Sequence, residues 1–132
     1  MNSLKKVMGF GTFDGLHPGH LEYLKQLRSL GDFVMVVVAR DRNVERIKGR
    51  LPKYNEKERL SAVEATLLAD EVMMGNEEDF MQCLRDHKPT VIGLGYDQKA
   101  DVTRIQAEFP QIHIHRLKAY APEKYKSSLL NT

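Results

Sequence analysis

The chain has 132 residues, 20 Lys and Arg against 18 Asp and Glu, and a formal net charge of +2. That length suits one compact domain over residues 1–132, with a core of useful size but no room for a separate substrate domain. The near balance of charge argues against the basic footprint of a dedicated nucleic-acid binder, and no apolar run is long enough for a membrane span or a signal peptide.

In chain order, apolar runs rich in Val, Ile and Met recur at Val7–Phe10, Phe33–Ala39, Glu71–Met74, Val91–Leu94 and Ile112–Leu117. Each pair is separated by a segment with helical spacing, which predicts a parallel sheet covered by helices. The first helix is predicted from Pro18 to about Ser29, with Leu21, Leu24 and Leu27 facing inward and Gly31 as its stop. A connection from Arg40 to Lys53 follows the second strand and carries Arg40, Arg42, Arg46, Lys48, Arg50 and Lys53 against only Asp41 and Glu45. Asn55 and Glu58 form a capping box for a helix running through Ala69, with Leu60, Val63, Leu67 and Leu68 on one face. Asn76 opens a further helix that Pro89 ends near His87, and Asp101–Phe109 is a short helix stopped by Pro110. The expected fold is α/β: a Rossmann-like, doubly wound, parallel five-stranded sheet with helices on both faces. Ligands of such sheets collect beyond the carboxyl ends of the strands, where the strand order reverses.

The most informative segment is Gly11-Thr12-Phe13-Asp14-Gly15-Leu16-His17-Pro18-Gly19-His20, at the junction of the first strand and first helix. Gly11 and Gly15 permit backbone geometries closed to other residues, and Pro18 suits a first helical turn. Unpaired N–H groups and the positive end of the helix dipole make this junction a site for phosphate. His17 and His20, three apart, can both reach one phosphate chain, with the Thr12 hydroxyl beside them. The competing readings are a pair of capping or surface histidines and a zinc site, and zinc is disfavoured because no Cys or carboxylate cluster stands at ligand spacing. Lys48, Arg50, Lys53 and Arg59 are the expected contacts to pyrophosphate or an incoming phosphate. Gly93 and Gly95 would admit a base or ribose, Asp97 would accept from a ribose hydroxyl, and Lys126, Ser127 and Ser128 offer an ammonium and two hydroxyls. Cys83 reads as a small buried hydrophobe, consistent with a reducing cytoplasm, and His113 and His115 read as outward-facing strand residues. No Gly-x4-Gly-Lys-Ser/Thr segment is present, which argues against a P-loop enzyme.

With Gly-Thr-Phe-Asp, two variable positions, His, one variable position and Gly-His matched from Gly11 to His20, the sequence resembles the cytidylyltransferase-like family of HxGH nucleotidyltransferases. Within that family it is most similar to the archaeal FAD synthases, on the further segments Ala39-Arg40-Asp41, Lys48-Gly49-Arg50, Glu56–Leu60 with Arg59, and Gly93-Leu94-Gly95-Tyr96-Asp97-Gln98. The resemblance implies transfer of AMP from ATP to FMN with release of pyrophosphate, a divalent cation such as Mg2+, and a homodimer. It assigns catalysis to His17, His20, Thr12 and Lys126. It assigns nucleotide contacts to Gly11, Thr12, Phe13, His17, Gly19, His20, Gly93, Gly95, Tyr96, Asp97, Tyr125, Ser127 and Ser128, and acceptor or phosphate contacts to Asp14, Arg40, Lys48, Arg50, Lys53 and Arg59. Glycerol-3-phosphate cytidylyltransferases share the first motif but carry an Arg-Thr-Glu-Gly segment near the end, where this chain has Tyr125-Lys126-Ser127-Ser128. Adenylyltransferases acting on pantetheine phosphate or lipopolysaccharide-core sugar phosphates share that motif too.

Overall fold

The computed structural model describes residues 4–75, 80–96, 98 and 100–118. Five strands, β1 (Lys6–Gly11), β2 (Phe33–Val38), β3 (Glu71–Met74), β4 (Val91–Leu94) and β5 (His113–Arg116), form one sheet in the order β3-β2-β1-β4-β5. Every neighbouring pair is parallel. The chain winds outward from β1 to β3, then crosses back to place β4 on the other side of β1, so the reversal lies between β1 and β4.

Because both sheet faces are covered, the central strands are apolar in continuous runs rather than alternating ones. Val7 with Val34, Val36 and Val38 faces one layer, where Leu24 and Leu27 of α1 (Pro18–Ser29) and Val63 of α3 (Glu56–Ala65) pack. Met8 with Met35 and Val37 faces the other, against Met81, Cys83 and Leu84 of α4 (Phe80–His87) and Ile105 of α5 (Val102–Glu108). Cys83 is thus a buried free thiol, and His113 and His115 are exposed on β5, both as expected.

Three local expectations are corrected. The basic connection after β2 is not a plain loop, because Asp41–Lys48 forms α2, started by an acidic residue and stopped by Gly49 at φ 81°. The helix begun by the Asn55 and Glu58 capping box ends at Ala65, not Ala69: the Thr66 hydroxyl donates to the Val63 carbonyl and accepts from the Leu68 N–H, and Leu67 turns left-handed at φ 59° with its side chain 87% exposed. Leu21 also points outward, so Leu24 and Leu27 alone of the three leucines are buried. The expected helix start at Asn76 lies outside the described residues.

Two glycines set how closely α1 approaches the sheet. A Cβ at Gly9 on β1 or at Gly93 on β4 would collide with the methyl groups of Leu27, so that side chain sits across both strands. Beside it, the β1–β4 ladder ends at Gly9 and Gly93. The next groups are bridged by side chains: the Tyr23 hydroxyl accepts from the Phe10 N–H at 3.0 Å and donates to the Gly93 carbonyl at 2.8 Å. The Gln98 amide donates to the Phe10 carbonyl at 2.7 Å and accepts from the Gly95 N–H at 2.8 Å.

Candidate functional site

The β1–α1 turn is built around Phe13, which takes the left-handed conformation (φ 55°) and buries its ring. Gly11 is required for that ring rather than for its own backbone angle, since a Cβ there would lie 2.7 Å from the Phe13 ring. Gly15 does take a positive φ, 85°. His17 is the N-cap of α1: its Nδ1 accepts from the Gly19 N–H at 3.0 Å, and the Nδ1 of His20 accepts from the His17 N–H at 3.3 Å. The two imidazoles form a reciprocal capping box with stacked rings, centroids 3.8 Å apart. Gly19 is small for the same reason, as a Cβ would lie 2.8 Å from the His17 ring.

Capping and ligand binding are therefore not alternatives here. An Nδ1 that accepts a backbone N–H leaves the proton of a neutral ring on Nε2, so a ring held in this way presents a donor to an anion, for which the Gly15 carbonyl competes at His20. Burial depresses the His20 pKa to about 4, with the neighbouring His17 and Lys48 acting in the same direction against the Gly15 carbonyl. At neutral pH His20 is an uncharged donor. Its ring also rests edge-on against Phe13 at 5.4 Å.

Next to this turn lies a cleft of about 390 Å³ lined by Thr12, Asp14, Val44, Lys48, Arg50, Leu51, Pro52 and Lys53. Five of the residues expected at the site thus converge on one space. Among the described residues, Lys48, Arg50 and Lys53 form no ion pair with a carboxylate. Lys53 instead holds its ammonium 5.6 Å from the centroid of the Tyr54 ring.

Other expected contacts have different surroundings. The Arg59 guanidinium, expected to reach a phosphate, is buried and donates to the carbonyls of Tyr54 (2.9 Å), Thr12 and Ala39 (both 2.8 Å) and to Asp41 (2.6 Å). It braces the turn after β1, the start of α2 and the loop before α3. Arg40 donates through Nε to the Gly75 carbonyl at 2.8 Å and lies 3.6 Å from Glu56, so its guanidinium also serves the fold. Asp14 accepts the N–H groups of Lys53 and Tyr54, each at 2.8 Å. Burial alone would raise its pKa, but those two N–H groups, with Arg59 and Lys48, hold it below the usual carboxylate range. On the side where a Cβ would stand, Gly93 is filled over by Leu27. Gly95 and the exposed Tyr96 stand at the end of β4, where Arg116 donates to the carbonyls of Gly95 and Gln98. Asp97, Tyr125, Lys126, Ser127 and Ser128 lie outside the described residues.

Tyr23 and Tyr54 escaped the sequence reading. Tyr23 lies three residues after His20 on the same helix face, a detectable signal. Tyr54 has only its place between a basic loop and a helix cap.

The chain matches the cytidylyltransferase-like family over residues 8–130. It is 42% identical over 126 residues to an FAD synthase of Aciduliprofundum boonei, covering 96% of this chain and 83% of that one. An FAD synthase of Thermoplasma volcanium is 39% identical, over 94% of this chain and 86% of its own. The crystal structure of a Thermoplasma volcanium protein titled as a lipopolysaccharide core biosynthesis protein superposes with a TM-score of 0.82 at 38% identity, covering 89% of this chain and 99% of that one. A pantoate-beta-alanine ligase of Francisella tularensis shares the fold alone, with a TM-score of 0.59 at 15% identity over 89% of this chain and 61% of its own. A histidine-capped helix beside a cationic cleft, on a sheet with these relatives, places the chain in the cytidylyltransferase-like family.

Proposed function

We propose that the protein is an FAD synthase, a nucleotidyltransferase that joins the AMP of ATP to FMN and releases pyrophosphate. The observation that carries this reading is the pair of stacked imidazoles at the start of α1, each with Nδ1 engaged by backbone, directly beside a cleft bearing Lys48, Arg50 and Lys53, which form no ion pair among the described residues. The FAD synthase relatives supply the acceptor.

A phosphate oxygen of FMN attacks the α-phosphorus of ATP. The new P–O bond forms as the bond to the bridging oxygen of the β-phosphate breaks, and pyrophosphate departs with that electron pair. The nucleophile is already an oxyanion, so no general base is needed, and alignment with electrostatic stabilisation carries the rate. His17 and His20 donate through Nε2 to the α- and β-phosphates, assisted by the Thr12 hydroxyl, the Gly11–Gly19 backbone and, as the resemblance implies, Lys126. Lys48, whose charge is felt at both His20 and Asp14, stands between triphosphate and acceptor. Arg50 and Lys53 neutralise the FMN phosphate, while the nucleoside occupies the strand-order reversal near Gly95 and Tyr96, with Asp97, Tyr125, Ser127 and Ser128 completing its contacts. Arg59, Arg40 and Asp14 position these groups.

A divalent cation such as Mg2+ belongs to this chemistry. Among the described residues no three His, Cys, Asp or Glu side chains cluster to hold one, and Mg2+ readily takes its ligands from substrate phosphates and water. It offsets charge on the triphosphate when bound. We further propose a homodimer of single-domain subunits in the cytoplasm. No described helix is long and apolar enough to cross a membrane.

The test is pyrophosphate release across a panel of ATP or CTP with FMN, glycerol 3-phosphate, pantetheine phosphate and sugar phosphates. FAD from ATP and FMN is expected. Turnover of another pair with none of that one would overturn the assignment.

A further inference from the structure

The three cations of the cleft account for the phosphate of the acceptor but not for the rest of it. A flat, largely apolar ring system needs apolar contact, and the cleft and its neighbourhood offer exposed side chains for it. Leu51 lines it and is exposed, and Tyr54, one residue beyond Lys53, is 39% exposed. Sites for small organic ligands combine apolar and aromatic side chains with a few placed polar groups, and Leu51 and Tyr54 stand beside three cations in that way.

The backbone holds Tyr54 firmly while its ring stays available. Its N–H donates to Asp14 and its carbonyl accepts from Arg59, so both peptide groups are anchored. The ring edge lies over Gly15, where an added Cβ would sit 3.4 Å from Cε2. Gly15 is also the residue whose carbonyl faces the His20 ring. Tyr54 therefore stands where the histidine turn meets the cationic cleft.

Resting on the FAD synthase reading, we propose that Tyr54 is the stacking platform for the flavin ring, flanked by Leu51, with the FMN phosphate drawn toward Lys48, Arg50 and Lys53. The Lys53 ammonium now over the phenol ring transfers to that phosphate, and the electron-poor isoalloxazine takes its place on the electron-rich ring. Tyr54 thereby selects a planar acceptor over a polyol phosphate with the same anionic group.

Steady-state kinetics and flavin fluorescence on the full chain test this directly. Stacking of a planar ring on an aromatic side chain is lost with Tyr54→Ala, so the KM for FMN should rise about tenfold or more. The KM for ATP and kcat should change by less than about twofold, because the lost stacking is made equally in the ground and transition states. Tyr54→Trp should restore the KM. Wild type and Tyr54→Trp should quench FMN fluorescence in the absence of ATP, and Tyr54→Ala should not. An unchanged KM for FMN in Tyr54→Ala, with FAD still formed, would overturn the platform and leave the activity standing. Failure of the wild type to form FAD at all would overturn both.

Discussion

His17 and His20 each do two jobs with two nitrogens, and substitutions can separate them. Asparagine is a strong N-cap, so His17→Asn keeps an acceptor for the Gly19 N–H while removing the imidazole donor. We expect His17→Asn to melt within a few degrees of wild type, and His20→Ala to stay folded, while both lose about 10²- to 10³-fold in turnover. Normal FAD formation by either would contradict the donor role. The burial of His20 also has a pH signature. An unfolded histidine titrates near 6.5 and the folded one near 4, so between those values the unfolded chain binds a proton that the folded chain does not. Stability is full above 6.5 and declines as pH falls toward 4, by about 1–2 kcal/mol once solvent screening at the partly open ring is allowed for. The denaturant midpoint of wild type should fall across that range by more than that of His20→Gln, which lacks the titrating ring.

At the scale of elements, the histidine turn is held by a buried brace. Arg59 ties the carbonyls of Thr12, Ala39 and Tyr54 to one guanidinium, with Asp41 as its counter-charge at the start of α2. Arg59→Met would leave those acceptors unsatisfied in a buried place and should cost about 3 kcal/mol or more, read as a lowered denaturation midpoint. The sequence disclosed the charge of Arg59 but not its burial, because an arginine in a basic neighbourhood looks the same whether it faces solvent or three carbonyls. The strands and most helix boundaries were legible because apolar runs and caps such as Asn55–Glu58 are local signals. The α2 helix was not. Its polar run has one buried side chain, Val44, and is held by tertiary partners such as Glu56, which accepts the Asp41 N–H at 2.8 Å. Leu67 misled for a related reason: helical spacing continued past the point where the Thr66 hydroxyl closed the helix.

For the molecule as a whole, the sheet divides into a β1-β2-β3 half and a β4-β5 half, and α1, which starts from the histidine turn after β1, packs across that boundary. Leu27 rests on Gly9 from one half and Gly93 from the other. Gly93→Ala should destabilise by about 2 kcal/mol through overpacking. Adding Leu27→Ala should cost less than the sum of the single changes, because the cavity admits the new methyl. Additive losses in chemical denaturation would refute that packing account. The glycine pattern was visible in the sequence but its packing role was not, since a missing side chain does not reveal what fills its place. The Tyr23 hydroxyl has a consequence of its own at this boundary. It is the rivet that pins the mouth of the sheet at one width, serving one strand as acceptor and the other as donor in a single small group. Burial keeps the phenol protonated at any physiological pH, so the clasp that joins the two halves of the sheet cannot be released by deprotonation.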